Sequence, residues 1–254
     1  MIQQQLKGKH SMRDTLDGSP GFVTGLRLQS DELARVRGLV ESHWLSCIEK
    51  KAPEYAKEFA EIGIDRYHER ADLIDHGTFW QSVAERNLPL SAALEIRTLS
   101  IFKQIELELG FFTIPDAYGW GSGEPMVFRL VRPNETSDVG PLHTDQWFWD
   151  LLGKLVPSHV VPYKIWIAIF CEPGLSGLRI VPNSHLQNIP YHGEMRNGML
   201  KPQIDVKEEE LAIELFHSQP GDAIVFNHKL LHGGAVTAGS RTRVSLELTI
   251  FVSK

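Results

Sequence analysis

The segment "GPLHTDQWFWDLL", Gly140 to Leu152, sets a His and an Asp two residues apart in a run crowded with three large aromatics. A buried carboxylate is costly unless it has a partner. Either the segment is a surface strand, or something cationic sits between His143 and Asp145. On an extended strand, side chains two apart point the same way. An extended 141–149 would therefore turn His143, Asp145, Trp147 and Trp149 to one face. An imidazole beside a carboxylate supplies two legs of a facial metal site. Two imidazoles and one carboxylate form the donor set that leaves positions open on ferrous iron for oxygen chemistry. His-x-Asp alone is a weak signal, equally consistent with a strand-end His and a solvated Asp. The third leg must come from elsewhere.

The downstream segment "QPGDAIVFNHKLLHGGAVTAGSRTRVSLELTI" offers two candidates for that leg, His228 and His232. Its last part alternates. Arg243, Ser245, Glu247 and Thr249 share one face, and Val244, Leu246, Leu248 and Ile250 share the other. Such a polar face can be simply solvent-exposed. An Arg followed two residues later by a Ser also offers a planar fork and a hydroxyl, which suits a bound carboxylate.

The elements that must position these residues change character along the chain. "SDELARVRGLVESHWLSCI" places Leu33, Val36, Val40, Trp44 and Cys47 on one helix face, with Ser30 as the expected N-cap. "SAALEIRTLSIFKQIELELG" repeats the pattern through Leu94, Thr98, Ile101, Ile105 and Leu109, with Gly110 as the stop. From about Pro125 the period becomes two. "MVFRLVRP", "YKIWIAIFC", "GLRIVP", "LAIELF", "DAIVF" and "RVSLELTIFV" are short, rich in β-branched and aromatic residues, and bounded by turn formers. Consecutive late strands behind early helices predict a mainly β (α+β) domain: an antiparallel sandwich or barrel carrying an N-terminal helical layer. The expected organisation is a flexible arm over 1–20, then one domain over 21–254. Residues 21–110 form its helical layer and 125–252 its β core. The arm and "YGWGSGEP" (118–125) are candidate covers.

Composition narrows the function classes. A net charge of −6 and a pI near 6.0, without Lys/Arg blocks, argue against a nucleic-acid partner. No apolar run reaches the length of a membrane span, and no secretory signal is read at the N-terminus. The two cysteines, Cys47 and Cys171, lack metal-ligand spacing and read as buried thiols of a reducing, cytoplasmic compartment. Eleven histidines make a His/carboxylate metal site the expected kind.

The "HTD" triplet, the distal "HGG" and the Arg eleven residues past that His resemble the Fe(II)/2-oxoglutarate-dependent dioxygenases, and within them the phytanoyl-CoA dioxygenase-like group. "GFVTGLRLQSDELARVRGLV", "KIWIAIFCEPGLSGLRIVPNSH" and "PGDAIVFNHKLLHGG" resemble that group's segments in the same order. The resemblance implies a double-stranded β-helix (jelly-roll, cupin-like) core. It implies iron ligation by His143, Asp145 and His232, the Gly-Gly pair and the position of Arg243 favouring His232 over His228. It also implies that Arg243, with Ser245, receives the distal carboxylate of 2-oxoglutarate. Trp166 would lie beside that co-substrate and Thr144 would touch it. Arg241 is the alternative anchor, in a loop.

The implied reaction couples oxidative decarboxylation of 2-oxoglutarate, with dioxygen, to hydroxylation of a small molecule or biosynthetic intermediate. The Asp at 145 implies hydroxylation and not the halogenation of relatives that carry a small residue there. Trp147, Lys164, Gln146 and either Arg129 or Arg132 are candidates for holding substrate. The sequence departs from the group where Asn183 replaces the Gly of "Pro-Gly-Ser-His", beside a loop-stabilising His185. The rival reading is a cupin-like metal enzyme, an isomerase or hydrolase, that would not need Arg243.

Overall fold

The computed structural model describes residues 11–116, 123–196 and 198–254. Helices α1 (Met12–Asp17), α2 (Ser30–Lys51), α3 (Ala56–Ile62), α4 (His76–Phe79), α5 (Val83–Arg86), α6 (Leu90–Arg97) and α7 (Ser100–Leu109) precede all the strands but β1, which lies between α1 and α2. α8 (Asp145–Leu151) interrupts the β half. Eleven strands follow in order: β1 (Phe22–Arg27), β2 (Phe112–Thr113), β3 (Val127–Val131), β4 (Val160–Phe170), β5 (Gly177–Ile180), β6 (Tyr191–Arg196), β7 (Met199–Ile204), β8 (Glu214–His217), β9 (Asp222–Asn227), β10 (His232–Gly234) and β11 (Arg243–Ser253).

The strands form a jelly-roll. The major sheet runs β1-β9-β4-β11-β2, with β3 also paired to β11, and the minor sheet runs β10-β5-β8. β6 and β7 make a separate hairpin. All pairings are antiparallel. The alternation of β11 decides which face does what. Val244, Leu246, Leu248 and Ile250 join Ile165, Ile167 and the helices' Val36, Val40, Trp44 and Ile48 in one buried apolar cluster. The opposite face of the same sheet turns Trp166, Ala168, Ile224 and Phe226 toward Leu178 and Ile180 of the minor sheet. Arg243, Ser245 and Glu247 lie on that inner face.

Three elements differ from expectation for identifiable reasons. Gln29, not Ser30, is the N-cap of α2, and its backbone N–H donates to Glu32 at 3.0 Å. The single helix expected over 91–110 is two, α6 and α7. Glu32 accepts from the Ser100 backbone at 2.6 Å and its hydroxyl at 2.9 Å, which caps a fresh helix start across the fold. Gly110, at φ 87°, does end α7.

Residues 11–20, placed in a flexible arm by sequence, are anchored. Ser11 caps α1, Leu16 is fully buried, Asn227 Nδ2 donates to the Leu16 carbonyl, and the Tyr163 hydroxyl donates to Asp17 at 2.8 Å. Residues 1–10, and 118–122 of the expected cover, lie outside the described residues. Among the described residues no helix is long and apolar enough to cross a membrane.

Candidate metal centre

His143 and His232 reach each other through backbone. Their main chains exchange two hydrogen bonds of 2.9 Å, which adds residue 143 to the edge of β10. The chain then turns. Thr144 takes an extended conformation and its hydroxyl accepts from Trp147 N at 3.2 Å, so it is the N-cap of α8 and Asp145 is that helix's first residue. The stretch expected to be extended is therefore helical from 145 on. Helical residues two apart diverge by about 200°, which separates the two tryptophans. Trp147 enters the cluster of Leu142, Val181 and Leu231 and stacks on Tyr191 at 4.4 Å, while Trp149 packs on Phe251.

The convergence of His143 and Asp145 survives this correction by a different geometry. One ligand atom from each of His143, Asp145 and His232 falls within 4.8 Å of the others. His143 Nδ1 lies 2.9 Å from the Pro141 carbonyl, and His232 Nδ1 lies 2.9 Å from the Leu230 carbonyl. A carbonyl only accepts, so each Nδ1 carries the proton and each Nε2 keeps its lone pair for a metal. Burial, then His232, pushes the His143 pKa down to about 4, and burial pushes that of His232 down as well. Both imidazoles are neutral, as ligation requires. Asp145 Oδ2 is buried without a hydrogen-bond partner. Burial would raise the Asp145 pKa, but neighbouring positive charge, that of Lys164 first, more than offsets it and holds the carboxyl ionised. The donor set fits a divalent cation.

Beyond the triad, the inner face of the sheet carries charge in sequence. Lys164 Nζ stands 3.6 Å from Asp145 Oδ1 and 3.9 Å from Glu247 Oε2, and Arg129 Nε donates to Glu247 Oε1. Glu247 is held far below the usual carboxylate range. Burial works against this, and Arg129 and Lys164 outweigh it. Lys164 thus braces the carboxylate of the triad. The alternation of β11 places Glu247 on its polar face, but a single strand does not show the cations that it meets there.

Arg243 is 2% exposed. Its Nη1 donates to Ser245 Oγ at 3.1 Å, its guanidinium lies 5.7 Å from the Trp166 ring centroid, and its Nε is buried with no partner. No carboxylate among the described residues forms an ion pair with it. Burial pushes its pKa down to about 10. It adjoins β10, since a Cβ on Gly234 would stand 3.2 Å from Arg243 Nη2. Arg243, Ser245 and Trp166 are brought together as expected. Arg241 instead pairs with Asp65 at 2.7 Å on the surface.

Other expectations move. The Thr144 hydroxyl accepts from Trp147 N as the cap of α8 and keeps its own O–H to donate. Arg132 holds Asp138 through two side-chain bonds of 2.8 and 2.9 Å, which commits its guanidinium to a neighbour in its own loop. Gln146 bridges His228 Nε2 at 2.7 Å and Asp150 at 2.6 Å. His228 is therefore engaged outside the triad. Asn183 adopts φ 64°, the left-handed conformation that Gly or Asn tolerates, which accounts for its replacement of a Gly.

A model of the family described as phytanoyl-CoA dioxygenase matches residues 31–244. The chain belongs to the phytanoyl-CoA dioxygenase family. Membership makes it an iron- and 2-oxoglutarate-dependent oxygenase. No curated relative matches it in sequence. Its fold is similar to SnoK, a non-heme alpha ketoglutarate dependent carbocyclase from nogalamycin biosynthesis, at 14% identity and TM-score 0.58, covering 96% of this chain and 84% of that one. EctD from S. alaskensis, solved with 2-oxoglutarate and 5-hydroxyectoine, is similar at 13% identity and TM-score 0.57, covering 98% and 78%. AviO1 from Streptomyces viridochromogenes Tue57 is similar at 13% identity and TM-score 0.53, covering 96% of each chain. At these identities the likeness is one of fold.

The buried histidines set an acid limit for the metal-free protein. Burial, first among the causes, pushes His143 and His228 each down to about 4. Between that value and about 6.5 the unfolded chain binds protons that the folded chain refuses. Stability is therefore complete above about pH 6.5 and lost as pH falls toward 4, by a few kcal/mol in sum. Urea midpoints of the metal-free protein across that window should slope downward with acid, and His228→Gln should flatten part of the slope. A flat profile would contradict the burial of neutral imidazoles.

Proposed function

We propose that this family member is a hydroxylase acting on a small molecule, with His143, Asp145 and His232 as iron ligands and Arg243 as the 2-oxoglutarate anchor. The observation that carries the reading is the orphaned guanidinium. A buried cation without an acid is strongly unfavourable unless an anion completes it, and Arg243 stands on the sheet face that also carries the triad's brace. Bound iron with 2-oxoglutarate and dioxygen supplies the oxidation, 2-oxoglutarate leaving as succinate and carbon dioxide.

The chain's own residues do the rest. Pro141 and Leu230 carbonyls fix the imidazole tautomers, so both Nε2 atoms face inward. Lys164 holds Asp145 ionised and restrains one of its oxygens. Arg243 and Ser245 orient the far carboxylate of the keto acid by a fork and a hydroxyl. Trp166, Ile224 and Phe226 form an apolar wall that excludes water from the reacting centre. A cupin-like isomerase or hydrolase would leave Arg243 without purpose and is not favoured.

The test is direct. In the absence of oxygen, ferrous iron should raise the melting temperature, and 2-oxoglutarate should raise it further. In air, succinate should form in step with 2-oxoglutarate loss and only with iron present. Stabilisation by iron with no response to 2-oxoglutarate would sink the proposal and favour the rival.

A further inference from the structure

The inner face of the major sheet continues past the triad to an edge that is rich in positive charge. Arg129 of β3 sits directly across from Ser245, and Glu247 sits across from both Val127 and Trp166. Asn87 bridges Val127, which sets Arg86 one lateral step farther out, at the end of α5. Neighbouring strands are about 4.8 Å apart, so Arg86 and Arg129 flank Glu247 within two such steps. A further cation comes from above. The hairpin of β6 and β7 is held against α8 by the Trp147–Tyr191 stack, and a Cβ on Gly193 would meet Leu151 at 2.9 Å. β7 packs on α8, and Lys201 sits across the hairpin from Glu194, whose carboxylate is held by Arg196. Burial, and then the charges of Arg129, Arg196 and Arg86, hold the Lys201 ammonium below the usual lysine range.

The balance of charge is uneven. Among the described residues, Arg86, Arg129, Lys164, Arg196 and Lys201 face three acids, Asp145, Glu247 and Glu194, the last of which pairs with Arg196, in a chain whose net charge is −6. Lys164 lies between Asp145 and Glu247, and Arg129 spends its Nε on Glu247, with its side chain 50% exposed. Arg86 Nε donates to the Trp80 carbonyl at 3.0 Å, and among the described residues no carboxylate comes within ion-pair distance of Arg86 or Lys201. Arg129 is near enough to the centre for its charge to act on both His143 and Arg243. Like charges are gathered at the mouth at a cost that an arriving anion would relieve.

The geometry points to a substrate that carries an anionic group, a carboxylate or a phosphate monoester, received by Arg129, Arg86 and Lys201 while its reacting carbon faces the triad. This rests on the hydroxylase reading and names the substrate class for that site. Arg129's terminal nitrogens would form the fork, Lys201 would close from the hairpin, and Glu247 would keep Arg129 in place.

The probe is iron(II)-loaded protein saturated with 2-oxoglutarate, without oxygen, titrated calorimetrically with acetate and with methyl phosphate. At least one anion should bind, and which of the two binds tighter decides between carboxylate and phosphate. Arg129→Gln and Lys201→Gln should each weaken that binding about tenfold or more, while Lys57→Gln, at an exposed helix position, leaves it unchanged. 2-Oxoglutarate affinity should stay within about twofold in all three variants. No binding of either anion to the wild type, or binding as tight as wild type in either site variant, overturns the inference. Failure of 2-oxoglutarate itself to bind the iron-loaded wild type overturns the hydroxylase reading, and this inference with it.

Discussion

Arg243→Met should raise the 2-oxoglutarate concentration for half-maximal succinate release by about a hundredfold or more, with iron loading intact. The size follows from burial. Removing one partner of a buried ion pair costs about 3–5 kcal/mol, and each 1.4 kcal/mol is about tenfold in affinity. In the wild type, Arg243 donates to Ser245 Oγ and faces the Trp166 ring, its Nε has no partner, and among the described residues no carboxylate pairs with it. The keto acid's far carboxylate is the group that would complete it. The same substitution should not destabilise the ligand-free protein, because Met removes an uncompensated buried charge and fills similar space. Opposite signs are therefore expected: unchanged or higher thermal stability without ligand, and collapsed 2-oxoglutarate affinity. Arg243→Lys should fall between, keeping the charge and losing the fork. Calorimetric titration of 2-oxoglutarate into iron-loaded variants checks this. Wild-type affinity in Arg243→Met would move the anchor elsewhere.

The β half was legible because period two is a local property. The strict alternation of Arg243 to Ile250 specifies which residues face the helices and which face the site, and β11 follows it. The missed hairpin also carried a signal, the Asn-Gly pair between residues 196 and 199. The errors arose where distant groups decide local structure. Glu32 splits a continuous helical pattern at Leu99 from far away in sequence. The spacing of Asp145, Trp147 and Trp149 imitates a strand, yet the Thr144 hydroxyl is placed to start a helix. The triad was found because its members' types and motif order are recorded in sequence. The Lys164–Glu247–Arg129 brace was not, because it depends on which residues of β3, β4 and β11 fall side by side, a matter of register that no single strand reveals.

Asp145→Ala should abolish iron retention and lower succinate release by about a thousandfold, near 4 kcal/mol of lost stabilisation. Two neutral imidazoles would remain, which is too few donors to hold a labile divalent ion in a facial site. The change should be read by difference. At a thousandfold excess over its dissociation constant, a ligand stabilises the folded state by about 4.1 kcal/mol. That iron-dependent increment, measured from urea unfolding with and without ferrous iron under nitrogen, should be present in the wild type and absent in Asp145→Ala. The metal-free variant should remain folded, since Lys164 keeps Glu247 at 3.9 Å when its other acid is removed. His228→Gln supplies the discriminating comparison. His228 is occupied by Gln146 and lies outside the triad, so its loss should leave the iron increment whole, whereas His232→Gln should remove it. The reverse pattern would mean that the third donor had been assigned to the wrong imidazole.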